Sequence, residues 1–69
     1  MRLSARNQLP ATVTGTNEGP ATTIVSLEVA GQRVVASITT EAARELGLAA
    51  GSEVIAIVKA SDVMLAVRD

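Results

Sequence analysis

Two short clusters hold most of the side chains in this sequence that could act on a ligand. Ser4-Ala5-Arg6-Asn7-Gln8 sets a hydroxyl and a guanidinium within one short stretch, and Lys59-Ala60-Ser61 adds the single lysine and a second hydroxyl. What both clusters offer is hydrogen-bond donors. A tetrahedral oxyanion presents only acceptors at neutral pH, so its site calls for hydroxyls, Arg or Lys, and backbone N–H groups. The charges of Arg6 and Lys59 would offset those of a dianion. In an extended chain Ser4 and Arg6 share one face, and the small Ala5 and Ala60 let a backbone amide approach an oxygen. The same residue types also suit a solvated terminus and a soluble strand end, so taken singly they leave both readings open. Asp62, directly after Ser61, counts against an anion unless its carboxylate turns away. Thr39 and Thr40 are equally double: one role is helix capping, the other a hydroxyl donor at the mouth of a barrel.

Other chemistries find little to work with. The sequence contains no His, Cys, Trp, Tyr or Phe. No metal-ligating cluster stands out, and no metal bound by direct side-chain coordination is expected. The sequence also has no phosphate-loop motif and no carboxylate pair spaced for acid–base work. Glu41 and Glu45 lie i,i+4 on one helix face, where Arg44 and solvent account for them. The expectation is that the protein is not an enzyme. With a net charge of −1 and no basic patch or aromatic stacking platform, nucleic acid is not an expected partner. No apolar run exceeds five residues, as in Val54 to Val58, so no membrane partner is expected. Arg2 is not followed by an apolar signal core, which makes the cytoplasm the expected location.

At 69 residues the chain is one domain, below the size at which a single core is comfortably stable. Disulfides are excluded without Cys. Alanine supplies 12 of the apolar residues, and each buries little area at roughly 25 cal/mol per Å². Self-association is the remaining route to stability.

The elements that must position the clusters follow from hydrophobic periodicity. Leu9, Ala11 and Val13 alternate with Thr12 and Thr14, a half-buried strand starting near Arg6 in which Pro10 argues for an edge or a strand start. Gly15 to Pro20 is a turn. Val25, Leu27 and Val29 mark a second strand, Ala30-Gly31-Gln32 a tight hairpin connection, and Val34, Ala36 and Ile38 one face of a third strand, Arg33 to Thr39. The period then changes: Thr40 can cap a short helix, with Glu41 in its first turn and Gly47 at its stop. Ala42, Ala43 and Leu46 fall on one side of it. A fourth strand, Glu53 to Lys59, is apolar on both faces and so reads as central, and a fifth runs from Val63 to Val67. The fold class is all-β, a small five-stranded OB-like barrel with one short helix between strands 3 and 4. An SH3-like barrel or a swapped-hairpin dimer accommodates similar strand lengths.

The stretch Ser4-Ala5-Arg6-Asn7-Gln8-Leu9, followed by Gly15, resembles the opening of the molbindins, small molybdate-binding proteins built from a Mop domain. Thr22-Thr23-Ile24-Val25-Ser26-Leu27-Glu28, Ala36-Ser37-Ile38-Thr39, Glu45-Leu46-Gly47-Leu48 with Gly51, and Val58-Lys59-Ala60-Ser61-Asp62-Val63-Met64-Leu65 extend the likeness. It covers essentially the whole chain, so residues 1–69 read as a single Mop domain. The resemblance implies an OB-like fold, a homohexamer built as a trimer of dimers, and molybdate or tungstate bound at subunit interfaces without an organic cofactor. By motif, Ser4, Ala5 and Arg6 would contact the oxyanion from one subunit. Lys59, Ala60 and Ser61 would contribute to the same site, with Thr39 as a further member. A second class of site, near three-fold axes, would fall on Gly19, Ala21 and Thr22, although Pro20 inside that segment has no N–H to donate. The implied role is intracellular molybdenum storage and homeostasis. The alternative is a molybdate-sensing module acting through a partner protein, a transporter or a regulator.

Overall fold

A computed structural model describes residues 2–69. Four strands, β1 (Asn7–Glu18), β2 (Thr22–Val29), β3 (Gln32–Thr39) and β4 (Glu53–Val58), form one antiparallel sheet in the order β3-β2-β1-β4. A short helix, α1 (Thr40–Glu45), lies between β3 and β4, and a 3₁₀ turn, Ala60–Asp62, follows β4. This is the expected all-β, OB-like arrangement with its helix in the expected place.

Period-two alternation sends one set of side chains inward. Ala11 and Val13 of β1 and Val25 and Leu27 of β2 are buried, and Val34, Ala36, Ile38, Val54 and Ala56 pack against them from the outer strands. The sheet curls because β1 serves two neighbours in turn. Its first half pairs with β4 from Asn7↔Val58 to Thr12↔Glu53, and its second half pairs with β2 from Thr12↔Glu28 to Glu18↔Thr23. A register shift between Val13 and Gly15 marks the changeover, where a bulge bends the strand and raises its twist. Val13 there donates to Ser52 O and accepts from Gly51 N, both at 2.8 Å, so β1 stays tied to the β4 side as it turns. Pro10 sits in the half that is paired on one side only, as its missing N–H requires.

The β2–β3 hairpin closes through Ala30 and Gly31, both at φ > 0 as a two-residue primed turn demands. Helix α1 ends as expected at Gly47, φ +63°. Gly47 N donates to Arg44 O and Leu48 N to Ala43 O, which satisfies two terminal carbonyls.

Several expectations are corrected. The described chain has four strands, not five: Val63 to Val67 pairs with nothing in its own sheet, and Leu65 is 93% exposed. The strand expected to be central, β4, is an edge strand ending at Val58, and its outer residues Ile55 and Ile57 remain 49% and 43% exposed. Within one chain only the inward face of β4, carrying Val54 and Ala56, packs against the core. The helix cap is Thr39, not Thr40: Ala42 N donates to Thr39 Oγ1 at 3.1 Å, while Thr40 turns into the core. Ala43 is buried on the helix side facing the sheet, but Leu46 is 69% exposed because it belongs to the terminating turn. Arg44 serves neither helix acid. It makes a forked pair to Glu18 of β1, Nε to Oε1 at 3.1 Å and Nη2 to Oε2 at 3.2 Å.

Candidate oxyanion site

The register of β1 on β4 brings the two donor clusters to one end of the sheet. Asn7↔Val58 is the outermost pair, and the Asn7 side chain reinforces it by donating from Nδ2 to Val58 O at 3.0 Å. One residue beyond this clamp, Arg6 leads into β1 and Lys59 leaves β4. Ser4 forms a bend before the strand and is exposed, Ala5 is half-buried, and Arg6 is exposed. Lys59 opens the 3₁₀ turn in an extended conformation, φ −64° and ψ 134°, with no side-chain cap. The turn is closed by Asp62 N to Lys59 O at 2.9 Å and Val63 N to Ala60 O at 3.3 Å, so the Ala60 and Ser61 amides precede the first bonded donor.

The electrostatics favour an anion here. Among the described residues the ion pair is Arg44–Glu18, at the opposite end of β1, so Arg6 and Lys59 are cations without a carboxylate partner. Two unneutralised positive charges and two hydroxyls on adjoining segments suit a doubly charged oxygen ligand, since charge-assisted hydrogen bonds are the stronger class. Asp62 shares the turn but is exposed and makes no ion pair among the described residues. All of these donors except Ala5 are open to water within one chain.

The remaining expected site residues lie elsewhere. Thr39 pairs with Thr22, next to Thr23↔Glu18, which places it at the far end of β1 from Asn7. Eleven strand steps separate those ends, roughly 35 Å for an untwisted strand at about 3.3 Å per residue. One copy therefore does not bring Thr39 to Arg6 and Lys59; its hydroxyl oxygen accepts from Ala42 N as the helix cap, which leaves its proton free to donate.

Gly19, Ala21 and Thr22 gather at that far end. Gly19 N donates to Thr22 O at 2.9 Å, and Thr40 N donates to Ala21 O at 2.9 Å. The Gly19 amide is thus spent inside the turn. A Cβ at Gly19 would sit 2.7 Å from Thr22 O, which explains glycine there. The turn is fastened from below by a pair of hydroxyls that sequence reasoning did not anticipate. Thr40 Oγ1 donates to Gly19 O at 2.7 Å and lies 2.8 Å from Thr23 Oγ1, both threonines being buried. Thr40 has one proton to give and gives it to Gly19, so Thr23 is the donor within the pair. The signal in the sequence was the two doublets, Thr22-Thr23 and Thr39-Thr40, at the ends of neighbouring strands.

A model of the TOBE domain matches residues 3–65. Molybdenum-pterin-binding protein 2 of Clostridium pasteurianum is 42% identical over 66 residues, covering 94% of this chain and 97% of its own length. The molybdenum transport protein ModE of Herbaspirillum seropedicae is 46% identical over 66 residues, and the chain spans 24% of that protein's length. Among solved structures, a molybdate-binding protein from Sporomusa ovata superposes with a TM-score of 0.92 at 33% identity, covering 96% of this chain and 98% of that one.

Proposed function

Since the chain belongs to the TOBE domain family, alongside the molybdenum-pterin-binding proteins, we propose that it binds molybdate, or the nearly isosteric tungstate, without catalysis. The observation that carries this is the Asn7–Val58 clamp. It sets two unpaired cations, Arg6 and Lys59, and two hydroxyls, Ser4 and Ser61, at one end of one ladder. A dianion there gains charge-assisted bonds from side chains and bonds from the amides near Ala5 and Ala60.

The site is an interface site. Its donors are exposed in one copy, and charge-assisted bonds strengthen once water is excluded. A second copy supplies that cover and is also the source from which a Thr39 could reach the ion. In this reading the protein is a homohexamer built as a trimer of dimers. It works in the cytoplasm as a molybdenum store that holds the cellular concentration steady. The Gly19–Thr22 turn is the second binding place, with Ala21 and Thr22 as its remaining members now that Gly19 N–H is committed.

Calorimetric titration with molybdate, with sulfate as the control anion, tests the proposal. Saturable heat with molybdate is expected, and no saturable heat at micromolar ligand overturns it. The 46% identity to a segment of a longer transport protein favours a second reading, a sensing module that acts through a partner. Affinity capture with and without molybdate separates the two, because a store has no partner that comes and goes with the ion.

A further inference from the structure

The two cations of the oxyanion site lie where the sheet no longer holds them. Arg6 and Lys59 fall just past the last pair of the β1–β4 ladder, Asn7↔Val58, so neither belongs to a strand. Continued by one step, that register sets the two cations directly opposite each other, where like charges repel. Left to themselves the two segments would splay, and an arriving ion would have to gather both. Ordering groups at the moment of binding costs affinity that a preformed site keeps.

One side chain opposes the splaying. Asn7 donates from Nδ2 to Val58 O at 3.0 Å, a bond between residues 51 apart in sequence. Its two ends are the residue after Arg6 and the residue before Lys59. Val58 O lies in the planar peptide unit that ends at the Lys59 Cα, so holding that oxygen orients the plane from which Lys59 departs. The amide's orientation is unambiguous, because a carbonyl oxygen only accepts and Oδ1 has no proton to give.

Asn7 is not itself placed to hold the ion. Alternation makes Asn7, Leu9 and Ala11 the inward set of β1, and Val54, Ala56 and Val58 that of β4, while Arg6 and Lys59 are exposed. The amide therefore braces the site from behind. Asn is also a poor strand residue, and an aliphatic side chain would suit a half-buried inward position better. What Asn contributes there is a donor that Leu or Val lacks.

We propose that Asn7 is the positioning residue of the oxyanion site: its amide holds the Arg6 and Lys59 segments at one spacing before the ion arrives. This role rests on the site assigned above, and Asn7 acts there through its neighbours, not on the ligand.

Asn7→Leu and Asn7→Ala in the full-length protein test it. Both variants lack the donor, but Leu fills the inward position and Ala leaves it underfilled. Titrated calorimetrically with molybdate, both should bind roughly tenfold more weakly than the parent, whereas thermal stability should rank Leu above Ala. Affinity that follows the stability ranking, with Leu near the parent, would show a packing role and overturn the assignment. The second readout is ¹⁵N relaxation without molybdate. Backbone order at residues 59–61 should fall in both variants while the rest of β4 keeps its parental values, and unchanged order there overturns the assignment. Either variant suffices for this readout if the other does not fold. A parent that gives no saturable heat sinks the site itself, and loss of order at residues 59–61 would still establish Asn7 as the brace of the two segments.

Discussion

Replacing Thr40 by Val tests the buried hydroxyl pair beneath the Gly19–Thr22 turn. The substitution keeps the branched shape and removes one oxygen that serves two bonds, the 2.7 Å donation to Gly19 O and the 2.8 Å acceptance from Thr23. A buried partner left without its bond costs about 1–3 kcal/mol. Thr23 is 2% exposed, so its hydroxyl is closed to bulk solvent, whereas Gly19 is half-buried and its carbonyl can be solvated. Summing a large share for Thr23 and a small one for Gly19 predicts a loss of about 2–4 kcal/mol for Thr40→Val. Thr23→Val leaves the Thr40–Gly19 bond in place and should cost only about 1 kcal/mol. In the double variant the orphaned Thr23 hydroxyl is gone, so the loss should fall to about 1–2 kcal/mol, below that of Thr40→Val alone. Thermal unfolding at matched protomer concentration is the assay, because any self-association would make Tm depend on concentration. At about 4–8 °C per kcal/mol for a domain of this size, Thr40→Val should melt about 8–30 °C lower and the double variant should recover part of that. Additive losses, or a Thr40→Val variant within about 0.5 kcal/mol of the parent, would refute the reasoning.

Three further outcomes follow from the geometry. Gly19→Ala places a methyl 2.7 Å from Thr22 O, a backbone atom, and should lower the urea midpoint by the equivalent of about 1–3 kcal/mol; an unchanged midpoint would show that the turn relaxes freely. Arg6→Ala and Lys59→Ala should each weaken molybdate binding roughly ten- to a hundredfold by calorimetry. Both side chains are exposed, so unfolding should stay within about 0.5 kcal/mol of the parent, and parental affinity in both variants would place the site elsewhere. The Arg44 guanidinium, bonded to Glu18, holds that carboxyl below its ordinary value. The pair's small contribution is therefore present above the ordinary carboxylate range and is lost as pH falls through the lowered value. Arg44→Ala should flatten that part of the acid-unfolding profile, and an identical profile would show that the pair contributes nothing.

Much of the fold could be read from periodicity. The alternation of Leu9, Ala11 and Val13, of Val25 and Leu27, and of Val34, Ala36 and Ile38 matches the inward faces of three strands. The hairpin at Ala30-Gly31 and the helix stop at Gly47 follow from local backbone preference. Errors arose where one local pattern has two tertiary outcomes. Both Thr39 and Thr40 can cap a helix, and the choice fell to Thr39 because Thr40 finds two buried partners across the β2–β3 register. A strand apolar on both faces reads as central, yet β4 lies at the sheet edge with Ile55 and Ile57 partly exposed, because apolar composition does not encode a strand's place in the sheet order. The expected fifth strand does not form in the described chain, because the apolar run Val63 to Val67 meets no strand of its own sheet.

By itself the sequence determined the residue chemistry: donors without His, Cys or aromatics, two cations far apart along the chain, and elements set by short-range periodicity and turn preference. Tertiary structure alone decided which of those residues meet. The Asn7↔Val58 register joins Arg6 to Lys59 across 53 positions and sends Thr39 to the other end of the sheet. Local preference acts over a few residues, whereas register is chosen by burying whole faces at once, and one chain of this size leaves Ile55 and Ile57 of β4 partly exposed.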